Sequence, residues 1–118
     1  MYKIENIKNK IIVGDVIKEL KKIPDNFIHL IITSPPYNVG MNYDKHNDKM
    51  NYKNYLSWVK EWVGECYRIL ISGGKIAVNL PSSILQSSNS RMAYLSLDYV
   101  LIMREVGFLD REWIGWIG

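Results

Sequence analysis

Ile28-His29-Leu30-Ile31-Ile32-Thr33-Ser34-Pro35-Pro36-Tyr37-Asn38 is an apolar run that stops at two prolines. Its aliphatic residues are too few for a helix of ordinary length and read as a strand buried on both faces. The strand must end at Thr33 or Ser34. Consecutive prolines have no N–H for a ladder, fix their own φ and push each preceding residue into an extended conformation, so the backbone beyond Ser34 is stiff and open. Open α/β sheets keep their ligands at such strand ends.

On the N-terminal side, Lys10-Ile11-Ile12-Val13 reads as a short strand ending at Gly14-Asp15. Val16, Ile17, Leu20 and Ile23 then recur at helical spacing until Pro24-Asp25-Asn26. Asp15, at the hinge, can cap that helix by accepting a free backbone N–H. On the C-terminal side, residues 39–51 are rich in Asn, Asp and Gly and have no periodicity. They form a long loop, either a lid with Tyr43 and Lys45 near a ligand or a solvated connector.

Asn51 caps a helix from about Tyr52 to Leu70, with Tyr55, Val59, Trp62, Val63, Cys66 and Leu70 as its apolar stripe. Ser72-Gly73-Gly74 ends it, and Lys75 to Leu80 forms the next strand, stopped by Pro81. Asn79 at that strand end either lines a pocket beside Ser34 or simply forms a turn. Residues 82–91 are a polar loop in which Arg91 could meet a phosphate. Met92 to Val106 reads as a helix with Tyr94, Leu97, Val100 and Leu101 inward, closed by Gly107, and Leu109 to Ile117 as a fourth strand. Strand and helix alternate, which predicts an α/β fold with a mostly parallel sheet of about four strands and three helices.

At 118 residues the chain can bury one modest core, and its 47% hydrophobic and 23% charged fractions are those of a folded domain. The net charge of +3 is compatible with nucleic acid but says little by itself. Cys66, the single cysteine, excludes an intramolecular disulfide or a cysteine-rich zinc site and suits a reducing compartment. On the helical stripe it is a small hydrophobe rather than a nucleophile. His29 and His46 have no ligand-spaced partner and read as structural. No run reaches membrane-spanning length and the polar N-terminus has no signal core, so a cytoplasmic location is expected.

Thr33-Ser34-Pro35-Pro36-Tyr37-Asn38 resembles the catalytic loop of the DNA amino-methyltransferases, whose pattern is an acidic, Asn or Ser residue, then Pro-Pro, then an aromatic. The helix, Gly-Gly turn and strand ending Asn-Leu-Pro resemble the same family in their spacing. The resemblance implies S-adenosyl-L-methionine as cofactor, double-stranded DNA as partner and an incomplete Rossmann-like methyltransferase fold. An exocyclic amine conjugated into its ring is a poor nucleophile, and acceptors aimed at its N–H groups draw it towards a tetrahedral nitrogen. Ser34 Oγ and the Pro35 carbonyl would be those acceptors, Pro35 and Pro36 would hold them rigid, and Tyr37 would offer a π-face to the flipped base. Asp15 and Ser34 would border the cofactor, with Asp15 near its adenine.

Ser before Pro-Pro tilts the resemblance towards cytosine N4, with adenine N6 as the alternative. His29 departs from the family, which more often has an acidic residue there. The likeness is to the circularly permuted subgroup that begins with its catalytic half. Neither that subgroup's aromatic-x-Gly-x-Gly cofactor loop nor its target-recognition region lies within residues 1–118. Residues 1–118 are therefore expected to be a catalytic half with little activity alone, dependent on a missing C-terminal half, a partner chain or a rearranged sheet. A non-catalytic nucleic-acid-binding or assembly module of the same fold, and a Rossmann-like enzyme acting on a small molecule or RNA, are the other readings.

Overall fold

The computed structural model describes residues 1–43, 45–86 and 89–115. At its centre, β1 (Ile28–Thr33) pairs in parallel with β2 (Leu70–Val78), Leu30 lying opposite Lys75 and Thr33 opposite Val78. The register breaks between Ile28 and Leu30, where β2 bulges at Gly73 with φ +80°. A Cβ on the neighbouring Gly74 would come within 2.9 Å of the Ile71 carbonyl, so the bulge needs glycine there for clearance.

The connection between the two strands carries α3 (Tyr52–Ile69). Asn51 caps it by accepting the Lys53 N–H at 3.0 Å. Tyr55, Val59, Trp62, Val63, Cys66 and Ile69 are its buried face, the expected stripe with Ile69 in place of Leu70, which is buried as the first residue of β2. Ile31, Ile76 and Val78 of the sheet pack against that cluster. Each large side chain so buried contributes roughly 1.5–3 kcal/mol.

Only one face of the sheet is covered. Leu30 and Ile32 are 55% and 75% exposed, so the expectation of a strand buried on both faces fails. Side chains alternate across a strand, and among the described residues the helices supply cover for the Ile31 face alone. The strand expected at Lys10–Val13 also does not form. The segment joins no ladder, and Ile11 and Val13 are 95% and 92% exposed.

A short helix, α1 (Ile4–Ile7), precedes that segment, and α2 (Val16–Leu20) follows it, ending three residues before the expected Ile23. Arg68 explains how α2 is held. Its guanidinium donates to the Leu20 and Ile23 carbonyls at 2.9 and 2.8 Å and pairs with Asp25 and Glu65, joining the end of α2 to α3.

Beyond β2, β3 (Ile84–Leu85) and β4 (Met92–Ala93) make an antiparallel hairpin. β3 falls within the expected polar loop, of which Ser87 and Ser88 lie outside the described residues, and β4 takes the first two residues of the expected last helix. Because Met92 and Ala93 join the hairpin, the last helix, α4 (Leu95–Val106), starts later than expected. It also faces the other way. Leu95, Ser96, Tyr99 and Ile102 are buried, while Tyr94, Leu97 and Leu101, expected inward, are more than half exposed. This stretch is apolar around most of its circumference, so periodicity does not select the face that packs on α3. Gly107, with φ +127°, closes α4 as expected. Residues 109–115 pair with no strand, and Trp116 and Ile117 of the expected fourth strand lie outside the described residues. No helix of the described residues is long and apolar enough to cross a membrane.

Candidate active site

A cleft of about 1000 Å³ opens at the C-terminal end of β1. Thr33, Ser34, Pro35 and Pro36 line it. Val13, Gly14, Asp15 and Val16 also line it, and Lys45, His46, Met50, Trp58 and Trp62 complete the wall. Asp15 and Ser34, nineteen residues apart in sequence, thus share one cavity. Asp15 caps α2, its Oδ1 accepting the Lys18 N–H at 3.0 Å. The cap leaves Oδ2 available to the cleft, so the same carboxylate can serve both roles considered for it.

Ser34 is exposed at the cleft and Pro35 is buried beneath it. Ser34 Oγ lies 2.7 Å from the Tyr37 hydroxyl, which in turn lies 3.1 Å from the backbone carbonyl of Asn79. The Tyr37 ring is half-buried against the core and is absent from the residues lining the cleft. Asn79 enters the site through its main chain. Its N–H donates to the Thr33 carbonyl at 2.9 Å, extending the β1–β2 ladder by one step, and its side chain is not a lining group.

The Pro36 carbonyl is held from below. The Tyr55 hydroxyl donates to it and stands 2.8 Å from the Tyr99 hydroxyl, which therefore donates to Tyr55. Burial pushes both tyrosines well above the ordinary phenol range, so both remain protonated donors. The second proline is fixed by its ring and by a hydrogen bond from the core.

The loop after Tyr37 is anchored internally, which the solvated-connector reading did not foresee. Asp48, 2% exposed, accepts the Asn38 N–H on Oδ1 and the Val39 and Met41 N–H groups on Oδ2, at 3.0, 3.1 and 2.8 Å. Asn38, in the left-handed region at φ +63°, exchanges two side-chain hydrogen bonds with the main chain of Met50 at 2.7 and 2.8 Å. The His46 ring leans on Trp58 at a centroid distance of 4.7 Å, with Tyr43 edge-on at 5.9 Å. Lys45 reaches the cleft wall, and Asp44 lies outside the described residues. His29 is exposed and lines no part of this cleft. Burial pushes the Cys66 thiol up to about 12, which leaves it protonated and unreactive.

Of the residues expected from sequence, Asp15, Ser34, Pro35 and Pro36 meet at one cleft, and Tyr37 stands behind its wall. Sequence reasoning missed Asp48 and the Tyr55–Tyr99 pair as supports of that loop. Nothing local separates Asp48 from other loop aspartates. Tyr55 looked like core packing, which it also is.

Residues 28–117 match the family described as DNA methylase. The chain is 36% identical over 107 residues to the type II methyltransferase M.HpaI of Haemophilus parainfluenzae, covering 91% of this chain and 31% of that protein. It is 36% identical over 94 residues to M.MjaVI of Methanocaldococcus jannaschii, covering 80% and 47%. The DNA adenine methyltransferase YhdJ of Escherichia coli is 34% identical over 92 residues, covering 78% and 29%. Among solved structures, a candidate DNA modification methylase from Thermus thermophilus superposes with a TM-score of 0.64 at 25% identity, over 81% of this chain and 39% of that one. The same protein complexed with S-adenosyl-L-methionine gives 0.61 at 26% identity. The chain spans between about a third and a half of the length of these curated relatives.

Proposed function

The chain belongs to the DNA methylase family, and from that premise we propose that it is the catalytic half of an S-adenosyl-L-methionine-dependent, site-specific methyltransferase for double-stranded DNA. The acceptor is the exocyclic amine of a flipped base, cytosine N4 in the leading reading. The observation that carries the proposal is the cleft itself, which Ser34, a rigid Pro-Pro backbone and Asp15 line together.

The lining suits the cofactor. The Asp15 carboxylate has an oxygen free for a ribose or adenine donor, Val13 and Val16 give it an apolar wall, and the volume accommodates a nucleoside together with a base. When bound, S-adenosyl-L-methionine supplies an electrophilic methyl group on a sulfonium. The chain's own residues prepare the nucleophile. Ser34 Oγ and the Pro35 carbonyl accept the two N–H groups of the amine, which turns the nitrogen lone pair out of conjugation. Proline rigidity and the Tyr55 bond to the Pro36 carbonyl hold this arrangement before substrate arrives, so little reorganisation is needed at the moment of reaction. The Tyr37 ring lies behind the cleft wall, and its hydroxyl braces Ser34 Oγ from there.

The remainder of the fold belongs against the bare face of β1 and the unpaired Lys10–Val13 segment, where Leu30, Ile32, Ile11 and Val13 are exposed. A C-terminal half or a partner chain would cover them, and residues 1–118 alone would bind cofactor weakly. A second reading, adenine N6, is favoured by the similarity to YhdJ, which is named a DNA adenine methyltransferase.

The test is Ser34→Ala in the full-length gene product. It should slow single-turnover methylation by about 10²–10³-fold and change DNA affinity only a few-fold. Equal losses in both would remove Ser34 from its assigned role. Nucleoside analysis of the methylated DNA separates N4-methylcytosine from N6-methyladenine.

A further inference from the structure

We propose that Tyr37 and the main chain of Asn79 fix the direction of the Ser34 proton, making Ser34 Oγ an acceptor only towards the cleft. The inference rests on the amine-methylation reading above and adds a positioning residue to it. A hydroxyl is ambivalent, carrying one proton and two lone pairs. Pointed the wrong way at an amine, the proton would engage the nitrogen lone pair that must attack. A serine serves this chemistry only if its proton is held elsewhere.

Hydrogen-bond accounting supplies the restraint. The Asn79 carbonyl can only accept, and it lies 3.1 Å from the Tyr37 hydroxyl. Tyr37 has one proton, so in bonding Asn79 it has none left for Ser34. Its 2.7 Å contact with Ser34 must then be an acceptance, with Ser34 Oγ as donor. Both Ser34 lone pairs remain for the cleft. In the reverse order, two oxygen acceptors would face one another at 3.1 Å and the Ser34 proton would be free to swing at the amine.

The relay stands on fixed points. Thr33 is opposite Val78 in the parallel ladder, and the Asn79 N–H continues that ladder to the Thr33 carbonyl. Ser34 and Asn79 are each the first residue beyond their strands. An Asp at position 34 would need no such device, since an ionised carboxylate has no proton to misdirect. The wiring is therefore specific to serine.

The experiment compares Tyr37→Phe in two backgrounds of the full-length gene product, under single-turnover conditions with saturating DNA. Phe keeps the ring and removes the hydroxyl. With Ser34 present, the methylation rate should fall about 10–100-fold while the DNA Kd stays within about threefold. In a Ser34→Asp background, the same change should alter the rate less than about threefold. An equal loss in both backgrounds, or a Tyr37→Phe enzyme as fast as wild type, overturns the proposal. Neutron diffraction from deuterium-exchanged crystals gives an activity-independent test. A deuteron on Ser34 directed at Tyr37 supports the wiring, and one on Tyr37 directed at Ser34 overturns it, whether or not Ser34→Asp is active. A wild-type protein that does not methylate DNA would instead count against the methyltransferase reading, which keeps the two failures distinct.

Discussion

Asp48 is the residue whose perturbation tests the site architecture most directly, because among the described residues no other side chain near the cleft holds so much main chain. Its carboxylate accepts three backbone N–H groups within the four residues that follow Tyr37. Asp48→Asn is nearly isosteric, but its amide offers one acceptor oxygen and turns an NH₂ donor towards N–H donors. If the oxygen stays on Asn38, the bonds from Val39 and Met41 are lost together. Hydrogen bonds to a charged group are worth about 1.5–3 kcal/mol each, and relaxation of the loop recovers part of that. A net cost of about 2–4 kcal/mol follows, centred on the loop because every hydrogen bond this carboxylate accepts comes from residues 38–41. At about 1.4 kcal/mol per decade, the loop-opening equilibrium shifts about 30- to 700-fold. Native-state hydrogen exchange should therefore show the amides of Asn38, Val39 and Met41 losing protection by that factor, with residues 59–69 of α3 unchanged. Unchanged protection at residues 38–41, or equal loss in α3, would refute the assignment of Asp48 as a local anchor.

Tyr55→Phe deletes the donor to the Pro36 carbonyl and leaves the buried Tyr99 hydroxyl without an acceptor. A loss of about 1–3 kcal/mol, read as a Tm lowered by roughly 4–12 °C, is expected, and an unchanged Tm would refute it. Ile32→Thr, at a side chain 75% exposed, should change the unfolding free energy of residues 1–118 by less than about 0.5 kcal/mol in urea titration. In a full-length gene product that covers this face, the same change should cost more than about 1 kcal/mol, and equal effects in both would argue that the face stays bare.

Much of the fold was legible because its determinants lie within a turn of the residues they control. Pro35 and Pro36 end β1 through their own rings, Asn51 caps α3 through the next two residues, and Gly107 stops α4 through its own φ. The α3 stripe was legible because its polar residues mark the opposite face. The α4 face was not, since Leu97 and Leu101 are as apolar as Leu95 and Ile102, and only the position of α3 chooses between them. The Lys10–Val13 segment had the composition of a strand, but a strand exists only when another offers it hydrogen bonds, and none of the described residues does.

The site divides in the same way. Residue order alone determined the candidate loop, from Ser34 through the rigid prolines to Tyr37, and put Asp15 at the start of a helix. Three-dimensional structure decided that Asp15 and Ser34 face one cleft, that Asp48 holds the loop beyond Tyr37, and that Tyr37 stands between Ser34 and the Asn79 carbonyl. The physical reason is separation. Proline stiffness and capping act on neighbouring residues, whereas the direction of a hydroxyl depends on a carbonyl forty-two residues away from Tyr37, brought within reach only when β1 and β2 pair.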